Sequence, residues 1–207
     1  MNQPDTVLAH VSDTHFTRSE APDGTRCRER LRQVLAAIES RRQPPAAMLV
    51  TGDLTEDGDP DAYVDLAAIV NESAARLGTR VVWLAGNHDD REVYSRVLLG
   101  RQSGEPELQV LHIDGLRIIA LDSTVPGRPH GELSTVTLTA LRDELATPAP
   151  RGTIVALHHP PIRPVLDFMR DMTLHGSERF AAALAGTDVR AILAGHLHHP
   201  YFSLFAG

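Results

Sequence analysis

Six short apolar runs, rich in β-branched residues, are separated by longer segments of helical period, and this alternation restricts the fold more than any other feature. The runs are "VLAHVS" (7–12), "AMLVTG" (47–52), "VVWLAG" (81–86), "LRIIALD" (116–122), "TIVALH" (153–158) and "AILAGH" (191–196). Between them, "RERLRQVLAAIESRR", "DAYVDLAAIVNESAARLG", "TLTALRDELA" and "SERFAAALAG" repeat their apolar residues three to four apart, the period of a helix with one buried face. Strand and helix alternating in this way predict an α/β fold with a largely buried sheet. One segment departs from the pattern. In "LQVLHIDGLRIIALD", Asp114-Gly115 lies between two apolar runs and predicts a tight β-hairpin, so an antiparallel pair joins the sheet. No repeat or long linker divides the 207 residues, and a single domain over 1–207 is expected.

The ends of the runs carry the chemistry. Five of the six close on residues that can bind a metal: Asp13 and His15, Asp53, Asn87 with His88, His158, and His196 with His198. In open α/β sheets ligands collect beyond the carboxyl ends of the strands, so residues far apart in sequence can meet in one cleft. Gly52, Gly86 and Gly195 precede the polar residue in three of these ends, as expected where backbone must turn sharply or approach an ion. Asp13, His15, Asp53, Asn87, His158, His196 and His198 offer oxygen and imidazole nitrogen and no thiolate. Seven donors exceed the needs of one transition metal and suit a pair that shares a bridging carboxylate.

Composition excludes several other classes. The net charge of −7 and pI near 5.8 leave no broad positive field for a nucleic acid or an anionic membrane. The only cysteine, Cys27, cannot form an intrachain disulfide, and in its charged run it is expected to be an inert thiol. The opening "MNQPDTVLAHVSD" has neither a basic n-region nor a long apolar core, so a soluble cytoplasmic protein is the expectation.

The blocks "DTH", "GDL", "GNHDD", "HHPP" and "GHLHH", in that order between Asp13 and His199, resemble the signature blocks of the calcineurin-like metallophosphoesterases. The segments "TGDLTEDGDPDAYVDL", "DGLRIIALDSTVPGRPHGEL" and "ELATPAPRGTIVALHHPPI" are similar to the bacterial class III cyclic nucleotide phosphodiesterases of mycobacterial type. The resemblance implies a four-layer αββα sandwich with mixed sheets. It implies that Asp13, His15, Asp53 and His198 bind one metal and Asp53, Asn87, His158 and His196 the other, with Asp53 as bridge. His88 matches the catalytic histidine beside the metals, and Asp89 the acidic residue that holds it. Iron and manganese are the implied metals, with zinc as an alternative, and a homodimer is the implied assembly. Family members continue beyond the last block with strands that complete a second sheet. The resemblance therefore implies a C-terminally shortened chain, in which residues 201–205 would run as an exposed edge strand.

The expected reaction is hydrolysis of 3′,5′-cyclic nucleotides, cyclic AMP foremost, to 5′-nucleotides by a hydroxide bridging the two metals. His88 would stabilise the transition state or protonate the leaving oxygen. The alternatives are a broader phosphodiesterase for 2′,3′-cyclic nucleotides or glycerophosphodiesters and, in another class, a non-catalytic binding module. Substrate selection is assigned to the loops 124–132 and 161–171, with a substrate-side role for His130. His159 and His199 are expected to orient or face solvent, His10 and His112 to be core or edge histidines, and His175 has no assignment. Arg18, Arg128 and Arg163 lie near motif loops but are expected to be solvated.

Overall fold

The computed structural model describes residues 5–18, 24–102, 104–106 and 108–206; Met1–Pro4 of the opening segment lie outside them. In chain order the first half contains β1 (Leu8–Val11), α1 (Gly24–Glu39), β2 (Ala47–Thr51), α2 (Pro60–Leu77), β3 (Arg80–Leu84) and α3 (Arg91–Leu98). The second contains β4 (Leu108–Ile113), β5 (Leu116–Leu121), β6 (Gly131–Glu132), α4 (Thr135–Leu145) and β7 (Thr153–Ala156). A 3-10 turn (Asp167–Met172), β8 (Leu174–His175), α5 (Ser177–Leu184) and β9 (Val189–Leu193) complete it.

Local chemistry sets the element ends. Asp59 caps α2 by accepting from the Asp61 N–H at 3.0 Å, Pro60 takes the first turn, where its missing N–H costs nothing, and Gly78 closes the helix at φ 65°. Asp114 and Gly115 both have positive φ, 49° and 85°, the geometry of the two-residue turn expected between β4 and β5. Helix α3 was not among the expected helices. Its eight residues follow the metal-site block directly, and Asp90 caps it through the Val93 N–H at 2.9 Å.

The strands divide between two main sheets. β1, β2 and β3 pair in parallel in that order, with α1 and α2 as crossovers. The second sheet has the order β4-β5-β7-β9 and is mixed, because β4 runs antiparallel to β5. β6 and β8 form a separate parallel ribbon. Alternation of side chains then builds three apolar layers. Met48 and Val50 of β2 pack with Leu31, Leu35, Tyr63 and Leu66 of α1 and α2. Ala47 and Leu49, on the other face of β2, meet Ile118 and Ala120 of β5. Ile119 and Leu121, on the far face of β5, meet Leu138 and Leu141 of α4 and Phe180 of α5. The result is helix, sheet, sheet, helix, the expected four-layer order, with the first sheet parallel throughout rather than mixed.

Residues 201–206 form no strand, contrary to the edge strand expected there. Phe205 turns inward to pack 5.8 Å from the Phe180 ring, while Phe202 is fully exposed.

Candidate metal centre

Every sequence-predicted ligand lies in a loop that leaves the carboxyl end of a strand: Asp13 and His15 after β1, Asp53 after β2, Asn87 after β3, His158 after β7, and His196 and His198 after β9. Backbone hydrogen bonds stitch these loops together, from Asp13 N–H to the Gly52 carbonyl (3.1 Å), His15 N–H to the Asp53 carbonyl (2.9 Å) and Gly195 N–H to the His158 carbonyl (3.0 Å). Among the described residues, seven that are not glycine have positive φ, and five of them are Asp13, His15, Asp53, His196 and His198. Such conformations cost of order 1–3 kcal/mol each and persist only where the surroundings over-determine them. Their concentration here shows that the backbone is bent to aim these side chains. The glycines serve the same end: a Cβ on Gly52 or Gly86 would collide with the His158 ring, and one on Gly195 with Ser12 and Asp13.

The donors form two neighbouring groups. In one, an atom from each of Asp13, His15, Asp53 and His198 lies within 4.8 Å of the others. In the other the same holds for His158, His159 and His196. Asn87 joins the second through Oδ1, 3.2 Å from His158 Nε2, and Asp53 stands between the two. Its Oδ2 lies 3.5 Å from His15 Nε2 and its Oδ1 3.3 Å from His158 Nε2.

Several contacts call for a cation. The Nδ1 of His158 faces the Thr51 carbonyl at 2.9 Å and must donate to it, so the neutral ring directs a lone pair at two oxygen acceptors, Asn87 Oδ1 and Asp53 Oδ1. The Nδ1 of His15 is held by Glu56 Oε2 at 2.6 Å, which leaves its Nε2 facing His198 Nε2 at 3.1 Å. Both ring nitrogens of His196 and the Nε2 of His159 are buried without a hydrogen-bond partner among the described residues. Lone pairs converging in this way repel unless a proton or a metal ion lies between them. The oxygen and imidazole set therefore fits a dinuclear metal centre.

The site's own charges divide its histidines between two protonation states when no metal is bound. Burial opposes ionisation of Asp53, but the hydrogen bond and charge of His158 outweigh it and hold the carboxyl well below the usual range. Burial likewise opposes protonation of His158, and its partner Asp53 outweighs that and raises the imidazole, so without a metal a proton is favoured between Nε2 and the carboxylate, and metal binding must displace it. Burial, reinforced by the His158 charge, lowers His159 to about 2 and His196 to about 4. Both rings are thus neutral near pH 7, the form in which imidazole binds a metal.

His88 and Asp89 take different positions. The His88 N–H donates to Asp53 Oδ1 at 3.0 Å, and its Nδ1 is held by the Glu56 carbonyl at 3.0 Å. The expectation that Asp89 holds His88 is thereby corrected. The Asp89 carboxylate accepts instead from the backbone N–H groups of Gly86 (2.7 Å), Leu54 (3.0 Å) and Thr55 (3.1 Å) and from the Tyr63 hydroxyl (2.8 Å). It clamps the loops after β2 and β3 to each other, and its lone pairs are taken up by that task. Burial pushes its carboxyl up even so.

Glu56 was missed in the sequence, although it touches both His15 and His88. Only its place three residues after Asp53 could have suggested it. His159, expected to point elsewhere, is fully buried beside His158 and His196, with Nδ1 2.9 Å from the Ser123 hydroxyl. His130 lies apart from both groups and stacks on His175. His10 bonds to the Thr51 hydroxyl and His199 to the Leu197 carbonyl. Arg18 pairs with Asp61 and Arg163 with Asp167. A cavity of about 1090 Å³ follows β9 and residues 200–206 and reaches Asp13 and His198, but Asp53, Asn87, His88 and His158 do not line it. It meets the centre only at its edge.

The sequence profile of the calcineurin-like phosphoesterases matches residues 6–200. The chain belongs to that family. It is 47% identical over 207 residues to a probable cyclic nucleotide phosphodiesterase of Rhodococcus erythropolis, covering 99% of this chain and 69% of the relative. It is 46% identical over 211 residues to a cAMP/cGMP dual specificity phosphodiesterase of Mycobacterium tuberculosis, covering 99% and 65%. This chain thus spans about two thirds of the length of these relatives. A dimetal phosphatase from Danio rerio has the same fold, with a TM-score of 0.68 at 15% identity, covering 95% of this chain and 82% of the other. Family membership makes the chain an enzyme of the phosphoesterase class. Among the described residues, no helix is long and apolar enough to cross a membrane.

Proposed function

We propose that this chain hydrolyses 3′,5′-cyclic nucleotides, cyclic AMP foremost, to 5′-nucleotides. The observation that carries this reading is the convergence of seven oxygen and imidazole donors on one cleft, with His88 anchored next to Asp53. The names of the Rhodococcus and Mycobacterium relatives support the substrate class. Asp13, His15, Asp53 and His198 would hold one metal and Asp53, Asn87, His158 and His196 the second, with iron and manganese proposed and zinc as the alternative. When bound, the pair supplies a water made acidic by the nearby charge and a positive clamp for the phosphoryl oxygens.

The chain's own residues do the rest. Glu56 fixes the His15 ring and the Thr51 carbonyl fixes His158, so both present Nε2 to the cleft; hydrogen bonds to the far ring nitrogen set ring orientation and tautomer. His88 donates its Nδ1–H to the Glu56 carbonyl, so only the doubly protonated ring carries a proton on Nε2 to give. As water forms its bond to phosphorus and gives up a proton to solvent, the bond to the ribose 3′ oxygen breaks and the doubly protonated His88 delivers its Nε2 proton to that oxygen. His159 is buried against His158 and His196 and excludes water behind them. A homodimer in the cytoplasm is the proposed setting.

The test is turnover of 3′,5′-cyclic AMP by the manganese-reconstituted chain, beside 3′,5′-cyclic GMP, 2′,3′-cyclic AMP and a simple phosphomonoester. A clear preference for the 3′,5′ esters is expected. Equal or faster turnover of the 2′,3′ ester would replace the proposal with a broader phosphodiesterase, and the absence of turnover on every ester would overturn it for a chain of this length.

A further inference from the structure

We infer that His130, Glu132 and His175 form an additional metal site, separate from the dinuclear centre, for a divalent transition-metal ion of zinc type. The β6–β8 ribbon creates it. Gly131 pairs with Leu174 and Glu132 with His175, and side chains opposite each other in register share a face. Leu174 is buried, and a Cβ on Gly131 would strike the His159 ring, so that pair faces inward. Glu132 and His175 face outward and are exposed. His130, two residues before Glu132, shares the outer face: its Nε2 lies 3.6 Å from Glu132 Oε1, and its ring stacks on His175 at 4.0 Å with an interplanar angle of 8°.

One donor atom from each of the three residues lies within 4.8 Å of the others. Donors bound to one zinc ion at about 2.0–2.2 Å stand roughly 3–4 Å apart, and because lone pairs in parallel ring planes do not meet at one ion, the set closes when one imidazole turns out of the stack. Two imidazoles and a carboxylate, with a further position open to water, are a proven zinc-type combination. The backbone beneath is already fixed by hydrogen bonds from Gly131 N–H to the Thr173 carbonyl (3.2 Å), Glu132 N–H to the Ser123 carbonyl (2.9 Å) and Leu174 N–H to the Pro160 carbonyl (3.0 Å). Little further order is lost on binding. An ion here ties the end of the loop 124–132 to the strand that follows the 3-10 turn, joining the two strands of the ribbon across their outer face.

Zinc chloride titrated into the metal-stripped full chain, with bound metal read by equilibrium dialysis and elemental analysis, tests the site. The unaltered chain should bind a third equivalent more weakly than the first two. His175→Ala and Glu132→Gln should each lose that equivalent or bind it at least about tenfold more weakly, while keeping the two tight ones. Asp53→Ala should do the reverse, retaining the weak equivalent, so that failure of the dinuclear reading is scored separately. Saturation of the unaltered chain at two equivalents, or persistence of the third in both ribbon variants, overturns the inference.

Discussion

The loops that leave the first sheet carry both carboxylates of the candidate centre, Asp13 and Asp53, together with Asn87 and His15. The loops that leave the second sheet carry only imidazoles, His158, His196 and His198, with His159 behind them. The supports differ as sharply. On the first-sheet side, Asp89 clamps the backbone after β2 and β3 and Glu56 holds two rings. On the second-sheet side, the His196 nitrogens have no partner among the described residues. Negative charge and rigidity come from one sheet, and unspent lone pairs from the other. Neither half holds a metal pair alone, so the packing of the two sheets through Leu49 and Ala120 assembles the site.

Substitutions on either side test that division. Asp53→Ala removes the group shared by both halves, and the chain should lose both metals and fall to background hydrolysis; His196→Ala, on the imidazole side, should lose one metal and keep the other. Elemental analysis of the two variants separates these outcomes, and equal losses would break the comparison. His88→Ala should retain both metals yet lower kcat by about 10²–10⁴-fold, the usual contribution of a positioned acid; loss of metal would make His88 a ligand. Glu56→Ala frees the His15 ring and leaves His88 on the backbone carbonyl of residue 56, and metal affinity should drop about 10–100-fold, measured as the manganese concentration for half-maximal rate. The smallest effect is expected from Tyr63→Phe. It removes a donor to buried Asp89 and leaves the Asp90 N–H, 3.1 Å from the hydroxyl, without its acceptor. Urea unfolding should show a loss of about 1–3 kcal/mol with metal content unchanged.

Much of this centre was legible before any coordinates. The seven candidate positions stood out because each offers an oxygen or imidazole donor at the end of an apolar run, and a strand's carboxyl end is where an α/β fold collects its ligands. The Asp114-Gly115 turn was legible for a similarly local reason, since both of its residues adopt positive φ readily. Glu56 was not, because a glutamate in "LTEDGD" looks like any solvated loop acid until its oxygen is found on His15. Asp89 was read as a partner of His88 because the two are neighbours in sequence. Its side chain points instead to backbone N–H groups that only the packed loops bring within reach.

The sequence by itself determined which residues could bind metal, most of the longer strands and helices, and which faces were apolar, because donor type and periodicity are properties of neighbouring residues. Tertiary structure alone decided which strands pair in each of the two sheets, that His159 lies buried against His158 and His196, and that His130 stacks on His175. These depend on which strand lies beside which and in what register, and residues distant along the chain carry no local mark of the partner they will meet.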